Sequence, residues 1–339
     1  MRYWLGAATI ALAAPAFAQT GAPPTPLFAS DAPINITIRG PMSAIATKRA
    51  DGARPATLTV KETGAAFPVM LSARGITRKM SNICSFPPLR VDFVQQPPAG
   101  SLFAGQNRMK LVTHCKGSAD FQQKVLLEYA AYRIYNALTP ISYRARLANI
   151  DYIDDSGRPY TSRVGFFIED IDDVARRNGL AKAHTPAMIP LAQVEPSAGA
   201  RFAVFNYMIG NLDWSMRAGP PEEGCCHNGR LLMAPNAPGR YIPVPYDFDF
   251  SGLVDAPYAT PPEGIKVGNV KQRLYRGYCA HNQYSSALAA QMSARRAELI
   301  GLVTSVPGMD GKTQSKAANY LEGFFRDVDG GKLLKTCIG

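Results

Sequence analysis

The stretch "YIPVPYDFDFSGL", residues 241–253, sets Val244, Tyr246, Phe248 and Phe250 in alternation with Pro245, Asp247 and Asp249. A period of two predicts a β-strand with both carboxylates on one face and the aromatic rings on the other. Two like charges at that spacing repel, and burying them unpaired is costly. A cation is therefore expected beside them, and the rest of the chain can be read for what supplies it.

Upstream, residues 33–115 are short-period and strand-like: "INITIRG", "ATLTVKE", "FPVMLSARG", "LRVDF" and "RMKLVTHC", separated by turn residues. They predict a small antiparallel sheet. In "FQQKVLLEYAAYRIYNALTP", Phe121, Val125, Tyr129 and Tyr132 keep helical spacing and Pro140 ends the run, which predicts one helix over about 119–138. Two more strands follow, "RARLANIDYID" and "SRVGFFIED", joined by "DSGRPY". From about residue 170 the pattern turns helical, in "DDVARRNGLAKA", "ARFAVFNYMIGNL", "SSALAAQMSARRAELIGLV" and "SKAANYLEGFFRDV". A loop at 217–240 and the Asp-rich strand interrupt it. The expected architecture is α+β and two-lobed. A β-rich N-lobe with one helix (33–168) joins a mainly α C-lobe (169–339), with a ligand cleft between them.

The chain has 339 residues, 46% of them hydrophobic, enough for one large domain or two lobes with a real core. The opening "MRYWLGAATIALAAPAFAQT" has a short basic start, an apolar stretch and an A-F-A site ending at Ala18, so residues 1–18 read as a secretory signal peptide. Residues 19–32, with "GAPPTP" at 21–26, read as a short stiff linker. No later run is long and apolar enough to cross a membrane. The expected location is periplasmic or extracellular.

Six cysteines follow: Cys84, Cys115, Cys225, Cys226, Cys279 and Cys337. An even count in an exported chain predicts three disulfides, with a metal site at "CCHN" (225–228) as the rival. Cys84 and Cys115 fall near adjacent strands, so a bridge there would staple the sheet. Formal net charge is +11, or +10 without Arg2, with the basic residues scattered. That pattern fits a solvated basic surface or attraction to anionic envelope polymers, and not nucleic acid.

A cleft binding a metal and a polyphosphate needs acids, an amide oxygen, a positioning acid and a cation on the phosphates. Lys110 lies in "RMKLV", and Glu128 sits mid-helix, eighteen residues on. Their pairing would orient the ammonium toward phosphate. The plainer alternative pairs Glu128 with Lys124 on the helix surface. Asp213 in "GNLDWS" and Asn228 in "HNGRLL" read either as turn residues or as members of the same set.

"LLEYAAYRIYN", the pair "NLD…HNGRLL" and "IPVPYDFDFSG" together resemble the CotH-type kinase family, secreted spore-coat relatives of the protein-kinase fold. The resemblance implies a protein-kinase-like fold. Glu128 would be its helix Glu and Asp213 its catalytic-loop Asp. Asn228 and Asp247 would be its metal-binding residues, with Asp249 as a further candidate. The hairpin "ARGITRK" would bring Arg74 or Arg78 to phosphate, and Lys110, with Arg90 as competitor, would be the phosphate lysine. The insertion "MRAGPPEEGCCH" departs from the family, and bridges from its cysteines to Cys279 and Cys337 would pin it beside the cleft. Trp214 and Ser215, where the family carries basic residues, are a second departure, and no Gly-rich loop is present.

The function this implies is an exported phosphotransferase using ATP with Mg or Mn and acting on a protein, glycan or small-molecule acceptor. Two alternatives stand beside it. One is a non-catalytic binding or scaffold protein of the cell envelope. The other is a calcium-stabilised binder built on Asp247 and Asp249.

Overall fold

In the computed structural model, which describes residues 21–49 and 52–339, seven strands close into a barrel. They are β1 (Ile34–Gly40), β2 (Arg54–Val60), β3 (Ala66–Ala73), β4 (Leu89–Phe93), β5 (Arg108–Val112), β6 (Ala145–Asp154) and β7 (Pro159–Ile168). Their order around the barrel is β1-β2-β3-β4-β5-β7-β6. Six neighbours are antiparallel, but β1 and β6 run parallel, from Ile34 opposite Ala148 to Gly40 opposite Asp154.

Alternation along the strands explains the closure. Ile36 and Ile38, Leu58 and Val60, Val69 and Leu71, Leu89 and Val91, and Met109 and Leu111 all turn into one core. Phe86, Phe103 and Phe167 fill it, and the short helix α1 (Met42–Thr47) adds Met42 and Ile45. A sheet whose every strand buries one face is stabilised by curling onto itself, which also removes its edges. Gly165 makes the β5–β7 contact possible, because a Cβ there would stand 2.6 Å from the Val112 carbonyl oxygen.

The helix α2 (Ala119–Leu138) matches the predicted span and packs on β6 and β7. Its Tyr129 and Tyr132 meet Phe166, opening a second core that continues through Phe202 and Phe205 of α4 (Pro196–Ile209) to Phe248. The remaining helices are α3 (Ile171–Arg177), α5 (Asn282–Ala294), α6 (Arg296–Thr304) and α7 (Gly311–Asp329). A three-stranded sheet of β8 (Ala181–Lys182), β9 (Gly229–Met233) and β10 (Ile242–Pro245) stands beside them, in the order β10-β9-β8.

The strands and α2 fall where the sequence places them, but the architecture does not. The expected two-lobed protein-kinase-like fold, with a small antiparallel sheet and a mainly α second half, is replaced by a closed mixed barrel with helices, a small sheet and long loops around it. The parallel β1–β6 pairing overturns the antiparallel sheet and closes it into a barrel. Between α4 and α5, over residues 210–281, the chain carries only two short strands and one 3-10 turn, so the second half is not mainly helical.

The segment expected to be a linker is partly core. Pro26–Phe28 form a 3-10 turn, and Leu27 and Phe28 are fully buried among the barrel residues. Two apolar side chains next to a strand gain more from burial than from serving as a spacer. The predicted signal peptide lies outside the described residues. No described helix is long and apolar enough to cross a membrane.

Three disulfides are present. Cys84–Cys115 is the expected staple. The insertion is not tied to Cys279 and Cys337, because Cys225 and Cys226 bridge each other and Cys279 pairs with Cys337. With every cysteine bridged, "CCHN" offers no thiolate to a metal.

Candidate functional site

The Asp-rich stretch is a strand only as far as Pro245. The backbone then leaves the sheet, and Asp247 takes a left-handed conformation, φ 65°. Its N–H donates to the Tyr132 hydroxyl, 3.1 Å away, so α2 holds the turn. Phe248 is buried between Tyr132 and Phe205, with ring centroids 4.6 and 5.2 Å away. Phe250 instead packs at a tilt against Tyr258, ring centroids 5.7 Å apart, and lines the cleft. A left-handed aspartate held by a buried ring is backbone strain of the kind that gathers at functional sites.

The cation required by the acid pair is Arg78, from the 3-10 turn Thr77–Lys79 after β3. Its Nη1 lies 3.0 Å from Glu128 Oε2, its Nε 3.1 Å from Asp249 Oδ2 and its Nη2 3.4 Å from Asp247 Oδ1. Arg78, Glu128 and Asp249 are buried, whereas the Asp247 side chain is 36% exposed to the cleft. One guanidinium faces three carboxylates, so the cluster is short of positive charge. Burial pushes the Asp249 carboxyl up to about 8 against the pull of Arg78, and it also raises Glu128. Tyr258 donates its hydroxyl to Asp249 Oδ2 at 3.0 Å.

A second cluster forms where α4 ends. Gly210 caps α4 in the left-handed region, φ 64°, and turns the chain so that Asp213 faces the loop before β9. There Asn228, also left-handed at φ 48°, donates Nδ2 to Asp213 Oδ2 at 2.9 Å and to its carbonyl at 2.7 Å. His227 Nε2 lies 2.7 Å from Asp213 Oδ1, and that bond raises the imidazole above its usual range. The Tyr246 N–H donates to the Asn228 carbonyl at 3.2 Å, which ties this cluster to the start of the Asp247 turn.

Both clusters open on one cleft of about 600 Å³, whose lining also includes the basic side chains of Arg74, Lys110 and Arg230. Lys110 Nζ and the Arg230 guanidinium stand 4.9 and 5.1 Å from the Tyr246 ring centroid. Arg230 is paired with Glu223 at 3.2 Å, but no described carboxylate pairs with Lys110 or Arg74. Burial, and then the nearby charge of Arg74, lowers the Lys110 ammonium to about 8. A cation held this way gains most from an anionic ligand.

The predicted residues Arg74, Arg78, Lys110, Asp213, Asn228, Asp247 and Asp249 all line this cleft, and Glu128 lies directly behind it on Arg78. The pairing of Glu128 with Lys110 does not form. The helix places Glu128 on its buried face, where Arg78 arrives first; for the same reason Glu128 is not a surface partner of Lys124. Arg90, the competitor for the phosphate role, is paired with Asp92 on the barrel at 2.7 Å and does not line the cleft. His227 was missed as the Asp213 partner, although its position beside Asn228 was a signal. Arg230 and Tyr246 gave none beyond membership of β9 and the Asp-rich stretch.

Carboxylate oxygens of Glu128, Asp247 and Asp249 lie within 4.8 Å of one another, a spacing that could hold a metal ion. Arg78 already reaches all three, so Glu128 and Asp249 are satisfied inward. The groups left facing the cleft are the Asp247 carboxylate, the Asp213 carboxylate and the Asn228 amide. An all-oxygen set suits a hard divalent cation such as Mg²⁺, Mn²⁺ or Ca²⁺.

No protein-family model matches the chain, and no curated protein matches it.

Proposed function

We propose that the cleft binds a divalent metal with a phosphoanion, ATP in the first instance, and transfers a phosphoryl group to a hydroxyl acceptor outside the cytoplasm. The observation that carries this reading is that one cleft is lined both by oxygen donors (Asp213, Asn228, Asp247) and by two cations unpaired by any described carboxylate (Arg74, Lys110). The resemblance to CotH-type kinase motifs points to the same chemistry, although the fold expected with it does not carry over. Export is part of the proposal; the three disulfides are consistent with it.

In this reading Asp247 and Asn228 hold the metal, Mg or Mn. The bound metal would take up charge developing on the phosphate oxygens. Arg74 and Lys110 align the phosphates, and Arg78 holds Asp247 from behind. Asp213, oriented by His227 and Asn228, accepts the proton of the acceptor hydroxyl as its oxygen bonds to the γ-phosphorus and the bond to the β-phosphate oxygen breaks. ADP leaves with the bridging oxygen.

Transfer or slow hydrolysis of γ-labelled ATP with Mg²⁺ or Mn²⁺ tests this. Asp213→Asn should cut the rate by about 10²–10⁴-fold, the usual contribution of a positioned proton acceptor, with nucleotide affinity kept. If nucleotide binds without turnover in the wild type, the non-catalytic envelope binder takes its place. Stabilisation by Ca²⁺ alone, with no effect of nucleotide, would favour the calcium-stabilised binder.

A further inference from the structure

A second cavity of about 420 Å³ shares no lining residue with the cleft. It lies between the segment at residues 28–31, the second half of α2 and the chain entering β6, and three guanidinium groups, Arg133, Arg144 and Arg177, border it. Arg177 is spent on the fold. Its Nε and Nη2 clasp the fully buried Glu169 at 2.9 and 3.0 Å, and its Nη1 donates to the Pro140 carbonyl at 2.6 Å.

Arg144 and Arg133 are differently placed. Arg144 donates Nη1 to the Phe28 carbonyl at 2.8 Å and makes no ion pair with a described residue, leaving Nε and Nη2 without a described partner. Its guanidinium is lowered by burial and by the like charge of Arg177. Close by, the buried Arg146 donates Nη1 to the Leu27 and Ser30 carbonyls, at 3.1 and 2.5 Å, and its Nε has no hydrogen-bond partner among the described residues. The exposed carboxylate here is Asp31, 2.9 Å from Arg133 Nη2, with a side chain 67% exposed. So exposed an ion pair is weak and readily exchanged.

We propose that this cavity binds a phosphate group, free or on a small phosphomonoester, with Arg144 and Arg133 as its ligands and Asp31 as the carboxylate it displaces. A guanidinium fork matches phosphate oxygens two at a time. The volume falls within the roughly 300–1,000 Å³ of small-molecule pockets. Three guanidinium groups against two carboxylates, Glu169 on Arg177 and Asp31 on Arg133, leave one positive charge, that of Arg144, for such an anion to neutralise. The inference does not depend on the proposed function of the cleft.

The experiment uses full-length protein carrying Arg74→Gln and Lys110→Gln, so that cleft binding cannot supply the signal. Inorganic phosphate, glycerol phosphate and, at matched ionic strength, chloride are titrated while thermal stability is followed. Saturable stabilisation by phosphate or its ester, absent with chloride, is expected. Arg144→Gln, or Arg133→Gln if the first fails to fold, should weaken it at least tenfold. Asp31→Asn should tighten it several-fold. A response to the ester alone would identify an esterified ligand, and equal responses would mean that the oxyanion suffices. No saturable shift beyond chloride, or affinity indifferent to both arginines, or weakening by Asp31→Asn, would overturn the proposal.

Discussion

Replacing Arg78 with Met removes the only described cation paired with Glu128 and Asp249 while keeping the apolar stem. Those two carboxylates are 1% and 5% exposed, so water cannot take over the lost contacts. Breaking a buried pair by deleting one partner costs about 3–5 kcal/mol. At about 2 °C per kcal/mol for a chain of this size, Tm should fall by about 6–10 °C. Urea unfolding followed through the buried Trp214 gives the free energy directly.

The loss should depend on pH in a definite direction. The Asp249 carboxyl, raised to about 8 in the fold, is protonated there at pH values where the unfolded chain has released the proton. Its contribution to stability therefore declines as pH rises from about 4, the unfolded value, toward 8. A guanidinium matters most when its partners are charged, so the deficit of Arg78→Met should be larger at pH 9 than at pH 5. Adding Glu128→Gln and Asp249→Asn to the variant should recover much of the loss. A deficit below about 1 kcal/mol, or one that is the same at both pH values, would refute the view of Arg78 as the cation of a buried acidic cluster.

Three further outcomes follow from the same geometry. Lys110 has a folded-state value of about 8, below its unfolded one, so its charge opposes folding below pH 8 and the cost fades as pH rises toward 10.5. Lys110→Met should then gain up to about 3 kcal/mol at pH 7 while losing phosphate affinity, as read by denaturation and by nucleotide titration. His114, buried and stacked on Phe86 at 5.0 Å, is lowered to about 4, so its contribution to stability drains away as pH falls from about 6.5 to 4; His114→Phe should flatten that acid limb. Changing both Cys279 and Cys337 to Ser opens a link spanning 58 positions and should cost about 4 kcal/mol in urea unfolding.

The strands were legible because each buries alternate side chains, and α2 because its apolar residues keep helical spacing up to Pro140. What could not be read was pairing. Nothing in "INITIRG" announces that it runs parallel to "RARLANIDYID", since period-two alternation is the same in an open sheet and a closed barrel. Proximity in sequence misled at Glu128, whose partner is Arg78 fifty positions upstream rather than Lys110 or Lys124. At Asp247 the expected strand gave way to a left-handed turn, yet the acids still met a cation. That requirement came from charge, which constrains the fold whatever the local geometry. The segment at 216–227 was readable as an insertion but not as the element that carries His227 to Asp213.

The most direct measurement is calorimetric titration of the oxidised protein with ATP in the presence and absence of Mg²⁺ or Mn²⁺, repeated with Asp247→Asn. The account predicts saturable binding that needs metal and nucleotide together and is lost in the variant. Nucleotide binding that ignores the metal and survives Asp247→Asn, or no binding at all, would contradict it.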